Sequence, residues 1–509
     1  MRGLWRGLVV MVVLVLLLGG TLFAAPGQQP QRGGRIVIAV GTDVLTFDPH
    51  NYRATTDIIV DRLIYDTLVT LDMQMRLRPN LAVRWLNLGP TAWRFELRRG
   101  VTFSDGTPLN ARAVKTSLER AARAPRAAGF VGAISQVDVV DEFTVIINTS
   151  RQFAPLLNHL TSPVAGIISP AALDRFKEQI DRNPVGSGPY ILKEWVPNQR
   201  TVLVPNPTYW GKAPYIEEVV FRPIGDESTR YLAFRGREVD VLSDPPPHLL
   251  GQLKRDPTVE VLLSPATRDF RIGFTVSHPT LQDVRIRRAI ALAVDRASLV
   301  KFVAEDLARE ATCGVIPPEL MRTNPCVSIE YDPQRARAVL AEAGKAGGLD
   351  LDLWTPEGRY LRDKAIAEAI QQQLGRVGIR TRLRVVEWGA YLDALGRREG
   401  QAFIIGWGFT TGDPATAMRQ NFWSRSAFNY SDYKNAELDR MLDEAEAEFN
   451  PARRAQIYQR MTEMLFVRDV VGKEIYHKNN IYAVRRRVHN FGAHPLELVD
   501  LSETWVEGR

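Results

Sequence analysis

Residues 349–407 read LDLDLWTPEGRYLRDKAIAEAIQQQLGRVGIRTRLRVVEWGAYLDALGRREGQAFIIGW. Leu349 to Trp354 alternates apolar and polar residues, the period of a half-buried strand. From Leu361 to Val377, the apolar residues Ile366, Ile370, Leu374 and Val377 return on one helical face, and Gly378 is placed to cap the C-terminus. Ile379 to Glu387 reads as a second strand, Ala390 to Arg397 as a short helix, and Phe403 to Trp407 as a compact buried strand. This β-α-β-α-β order predicts a parallel sheet covered by helices, hence the α/β class. Ligands on such sheets bind beyond the carboxyl ends of the strands. The loop that follows Trp407 is therefore the first site candidate.

Outward from this stretch the signals stay mixed α/β. Arg35 to Val40 is a strand ended by Gly41, and Asp57 to Leu68 has helical spacing. Trp93 to Arg98 alternates, and Val137 to Asn148 reads as two strands about a turn at Asp141-Glu142. Asn110 is placed to cap a helix reaching about Arg123. Asp283 precedes an amphipathic run to about Ala304. Asp332-Pro333 and Asn450-Pro451 each combine a cap with proline at the first helical position. Gly186-Ser187-Gly188 reads as a tight turn before a strand at Tyr190–Trp195. Repeats, heptads and long charge runs are absent from the sequence.

The 509 residues suit two to four domains and sizeable cores without metal or disulfide scaffolding. Two cysteines exclude a four-cysteine zinc site. The formal net charge is +7, dispersed along the chain, which gives no footprint for nucleic acid. Residues 1–25 have the form of a signal peptide: Arg2 and Arg6, an unbroken apolar run from Leu8 to Leu18, then small residues ending at Ala25. The alternative, an uncleaved anchor, stays open. No cysteine near the cleavage site offers a lipid attachment point. Residues 26–34 read as a flexible leader. In an exported chain Cys313 and Cys326 are expected to form a disulfide, with two buried free thiols as the alternative.

Catalytic and metal constellations do not emerge. There is no GxSxG, HExxH, GxxxxGK[ST] or CxxC, and the histidines are scattered. No cofactor and no metal site is expected.

Several segments, in order, carry a resemblance: GGRIVIAV with LTFDP, PNLAVRW, WRFELRRGVTFSDGTPLNARAV, NPVGSGPYIL, VPNPTYWGKAPYIEEVVFRPI, REVDVL, LQDVRIRRAIALAVDRASLV, YDPQRARAVLAEAG and NYSDYKNAELDRML. Over about residues 33–505 the chain resembles the extracytoplasmic solute-binding proteins of peptide-type ABC importers, whose members bind dipeptides, oligopeptides, nickel or glutathione. The resemblance implies a two-lobed, type II periplasmic-binding-protein-like fold with an extra inserted domain. It implies a discontinuous lobe I domain (33–68, 184–268 and 480–509), an inserted domain (69–183) and a lobe II domain (269–479), with hinge crossings near 268 and 480. It also implies a periplasmic monomer whose partners are the permease transmembrane subunits with their ATPase subunits, and no nucleic acid.

In peptide-binding relatives an aspartate after the strand ending in tryptophan pairs with the ligand's ammonium. Here that position is Thr410, and Asp413 is the carboxylate placed to take its role; a turn before Pro414 is the alternative. The resemblance further marks Thr42, Asp43, Trp407, Gly408, Asn429 and Tyr430 as ligand-facing. Arg419 is a partner for a ligand carboxylate. Ser243 and Asp244 are lesser candidates, and Arg268 is expected in a salt bridge at the hinge. The stretch TTGDPATAMRQNFW, residues 410–423, looks more like the glutathione-type branch. The expected function is capture of a short peptide or glutathione-type solute without catalysis. The alternatives are an exported peptide hydrolase or a receptor for a signalling partner, and, among ligands, an opine, an oligosaccharide or a nickel chelate.

Overall fold

A computed structural model describes residues 30–321, 328–357 and 359–507. The signal and Cys326 lie outside the described residues, so the Cys313–Cys326 pairing does too.

The β-α-β-α-β unit forms as read. Strand Leu349–Pro356 lies parallel to both Ile379–Val386 and Ala402–Gly408, with helices Asp363–Gly375 and Trp388–Gly396 between them in the chain. Gly378 takes φ +91°, the left-handed conformation that ends a helix and favours glycine. These strands belong to one eleven-stranded sheet. Across it run Ile379–Val386, Leu349–Pro356, Ala402–Gly408, Val259–Phe274, Gly472–Arg485, Val241–Ser243, Arg35–Val40, Glu218–Pro223, Arg200–Pro205 and Tyr190–Val196. Ala308–Glu310 is added on Gly472–Arg485.

Two strands make the sheet continuous across two lobes. Val259–Phe274 and Gly472–Arg485 pair antiparallel along most of their lengths, but their register slips between Pro265 and Asp269. Proline offers no N–H to the ladder, and the extra residues bend the strand. The freed backbone of Thr267 bonds elsewhere, donating to Pro495 and accepting from Phe409. On one side of this irregularity the core gathers Ile36, Ile38, Val219 and Phe221; on the other it gathers Phe270, Ile272, Leu351 and Ile404. A further core, with Phe95, Val114, Val145 and Ile147, lies under a four-stranded antiparallel sheet of Ala82–Gly89, Ala92–Leu97, Thr144–Thr149 and Ile134–Asp141.

The expected caps are observed at Asn110, Asp283, Asp332 and Asn450, each accepting from backbone N–H groups of its helix. Two helices are shorter than their periodicity. The run from Asp283 stops at Ala293, where Val294 turns extended and Asp295 caps a new short helix at Ser298. The helix expected to reach Leu68 ends at Ile64. The 186–188 turn has a packing reason: a Cβ on Gly186 would stand 2.1 Å from the Ile64 carbonyl oxygen. Ser187 there donates to Asp66.

Candidate functional site

A cavity of about 1010 Å³ opens between the lobes. Its walls come from the carboxyl ends of strands, as the parallel unit requires. Thr42 follows strand Arg35–Val40, Ser243 ends strand Val241–Ser243, and Trp407, Gly408 and Thr410 close Ala402–Gly408 and its loop.

A small ion network forms the cavity floor. Arg268 lies opposite Gly408 across the ladder, and its guanidinium crosses that glycine: a Cβ there would stand 2.9 Å from Nη2. Arg268 donates to Glu497 at 2.7 Å, and Lys478 approaches Glu497 at 3.4 Å and Asp244 at 3.6 Å. Burial pushes the Glu497 carboxyl up, but the charges of Arg268 and Lys478 outweigh it and hold it well below the usual carboxylate range. The salt bridge expected of Arg268 is present.

Arg359 is a further cation lining the cavity, and sequence reasoning missed it. It follows Leu349–Pro356, the strand whose carboxyl end points at the cleft, and that position was the available signal. Its guanidinium lies 5.1 Å from the ring centroids of both Tyr360 and Trp388. Among the described residues it makes no ion pair. Glu357, two residues before it, pairs with Lys364 at 2.9 Å, and Asp363, four residues on, accepts the N–H groups of Arg359 and Tyr360. Loss of hydration in the cleft first, then repulsion from Arg268, lowers the Arg359 pKa, while the charges of Glu497 and Asp244 offset part of this, and an incoming anion would add to that offset.

The remaining expected site residues divide. Thr42, Trp407, Gly408 and Thr410 wall the cavity, as do Ser243 and Asp244. Trp407 is steadied by its indole N–H on Gln420 at 3.2 Å and by an edge contact with Phe428. Asp43, Asp413, Arg419, Asn429 and Tyr430 do not wall it, and each has another task. Asp43 accepts the N–H groups of Val44 and Asn198, which tie down its loop. Asp413 caps helix Pro414–Phe422 through Ala415 and holds Arg454 in a two-pronged pair at 2.5 and 2.7 Å, almost wholly buried. Arg419 is satisfied by Glu446 and Asp443. Asn429 bridges the carbonyls of Trp423 and Tyr433. Tyr430 is buried beside Phe428 and Arg398. For Asp43, Asp413, Arg419 and Asn429 a protein partner takes the polar group that a ligand would have needed.

Among the described residues no three or more His, Cys, Asp or Glu side chains gather as a metal site, and no helix is long and apolar enough to cross a membrane.

A two-lobed α/β sheet with a walled cavity at its strand ends defines a binding protein of the periplasmic type. Residues 76–429 match the model for bacterial extracellular solute-binding proteins, family 5 Middle, and the chain belongs to that family. The glutathione-binding protein GsiB of Escherichia coli O1:K1 / APEC is 29% identical over 474 residues, covering 90% of this chain and 91% of the relative. GsiB of Shigella dysenteriae serotype 1 (strain Sd197) is similar to the same extent. NikA from Brucella suis in complex with Fe(III)-EDTA superposes with a TM-score of 0.84 at 21% identity, covering 93% of this chain and 100% of that one. The periplasmic binding protein DppA from Helicobacter pylori, in complex with peptide STSA, gives 0.80 at 24% identity over 94% and 99%. At such identity the two structures speak for the fold.

Proposed function

We propose that this chain is the solute-capturing component of an ABC importer, binding a short peptide or glutathione-type ligand in the interlobe cavity. The observation that carries the proposal is Arg359: a guanidinium in the interlobe cavity, flanked by two aromatic rings and making no ion pair among the described residues. A ligand carboxylate supplies that partner, and the bidentate geometry of arginine suits it. The cavity volume is at the upper end of the range for small-ligand sites, so water fills what the ligand leaves and can bridge varied side chains.

Thr410 supplies a hydroxyl where peptide-binding relatives carry a charge, and Asp413 is committed to Arg454. The ligand's amine is therefore met by Glu497, Asp244 or water. The lobes, assigned as above, close about the irregular crossing at Pro265–Asp269. The chain carries the ligand, without transforming it, to permease transmembrane subunits driven by their ATPase subunits. It is exported by residues 1–25 and acts outside the cytoplasm as a monomer without nucleic acid.

Thermal unfolding of the mature protein with reduced glutathione, di- and tripeptides, opines, oligosaccharides and nickel chelates tests the reading. A ligand at 100 times its Kd adds about 2.7 kcal/mol of stability. Stabilisation by glutathione or peptides, lost in Arg359→Gln, supports it. Stabilisation by sugars or chelates alone removes the peptide assignment while leaving the fold.

A further inference from the structure

Away from the cavity, the domain built on the four-stranded sheet meets the second lobe through another set of contacts. Arg151 pairs with Glu446 at 2.6 Å, and the Ala154 N–H donates to the Glu446 carbonyl at 2.7 Å. The Asn158 amide donates to the Gly412 carbonyl at 3.0 Å. His159 Nδ1 faces the Phe130 carbonyl at 2.5 Å and so carries the proton, which leaves Nε2 to accept the Thr416 hydroxyl at 3.1 Å. Gly412 lies at φ +67°, and a Cβ there would stand 2.5 Å from Leu71 Cδ1. Only glycine lets the loop settle so closely.

Of these residues Phe130 reaches the wall of the ligand cavity, and Leu71, Arg151, Ala154, Asn158, His159, Gly412, Thr416 and Glu446 do not. Beside the contact an open surface groove walled in part by Pro90, Trp93 and Phe449 lets water reach its edge, with the Trp93 and Phe449 rings 6.2 Å apart. A few directed hydrogen bonds across a thin interface are what a reversible contact needs.

We infer that these residues form a clasp that biases the lobes toward closure before ligand arrives. The clasp sets what fraction of the free protein is closed, and ligand contacts add to it. Each interlobe hydrogen bond removed lowers the closed-to-open ratio by about two- to tenfold. Apparent affinity follows the closed fraction, because a ligand that binds one state is weakened by the share of the other. The affinity consequence rests on the cavity being the ligand site; the closure itself does not.

Small-angle scattering on the ligand-free protein tests this, using wild type, Thr416→Val, Asn158→Ala and Thr416→Ser. The valine is isosteric and lacks the hydroxyl, and the alanine removes the bond from the opposite lobe, so one remains informative if the other misfolds. The radius of gyration should rise in the valine and alanine variants and stay at the wild-type value in the serine variant. Titration with reduced glutathione should then weaken in proportion to the closed fraction lost, which is at most the factor by which the closed-to-open ratio falls. Scattering curves of the valine and alanine variants that superpose on wild type overturn the clasp, whatever the ligand. Opening as expected with no glutathione binding by wild type leaves the clasp standing and removes the ligand assignment.

Discussion

Replacing Asp413 with asparagine separates a ligand anchor from a structural ion. Asparagine keeps the helix cap, since its side-chain oxygen can still accept the Ala415 N–H. It removes the charge that faces Arg454, whose side chain is only 10% exposed. Breaking one partner of a buried pair leaves an uncompensated ion and costs about 3–5 kcal/mol. Urea unfolding should show the midpoint fall by that free energy with an unchanged slope. Burial raises the Asp413 pKa, but the Arg454 charge more than offsets it and the net shift is downward. The pair's stabilisation is thus fully present above the unfolded carboxyl pKa, about 3.9, and is lost as pH falls through the lower folded value. Wild type and variant should converge only in strong acid. Ligand affinity of the folded variant should change by less than about threefold. A ligand anchor behaves oppositely, with about 2–5 kcal/mol lost from binding, or roughly 30-fold and more. An unchanged urea midpoint together with such a loss of affinity refutes the structural role.

Three further outcomes are expected. Gly186→Ala forces a Cβ against the Ile64 carbonyl and should cost about 1–3 kcal/mol in urea unfolding; a neutral result means that the two backbone segments part freely. Burial lowers the pKa of His50 and His494 to about 4 and of His477 to about 3. Their imidazole NMR signals should hold still from pH 7 to 5, and a midpoint near 6.5 for any of them contradicts its burial. As the folded values lie below the unfolded one, each histidine removes about 1.4 kcal/mol of stability per pH unit on acidification below about 6.5. The exported protein should begin at Pro26 by N-terminal sequencing, and alkylation before reduction should add no mass to its two cysteines; two adducts mean free thiols.

Periodicity carried the fold far. The 349–407 stretch alternates at period two where strands form and at helical spacing between them, and nothing nonlocal competes with either signal. Caps were equally plain, because an Asn or Asp before a helix satisfies N–H groups two or three residues on. The same locality explains the failure at Val294. The apolar stripe runs on, yet Asp295 finds it better to cap a new turn, and the Gln373 side chain, 78 residues away, accepts its N–H. The register slip at Pro265 is half local: the proline is visible, whereas the carbonyl of Pro495 that takes the Thr267 N–H is not.

The binding site was legible by position and illegible by charge. The carboxyl ends of parallel strands must point to one edge of the sheet, so Trp407, Gly408 and the loop bearing Arg359 converge there for topological reasons. Which of their charges remain available depends on partners drawn from remote segments. Arg268 and Glu497 are 229 residues apart, Asp413 and Arg454 are 41 apart, and neither local sequence differs from an ordinary cap, turn or strand end. Asp413 looked free because its guanidinium partner lies on another helix, Pro451–Glu463. Arg359 looked ordinary because its distinction is that it makes no ion pair among the described residues, with Glu497 and Asp244 acting on it only at longer range. A charge's role is set by the group that neutralises it, and that group is specified by the fold. Sequence reasoning therefore locates the pocket before it can say which side chains in it await a ligand.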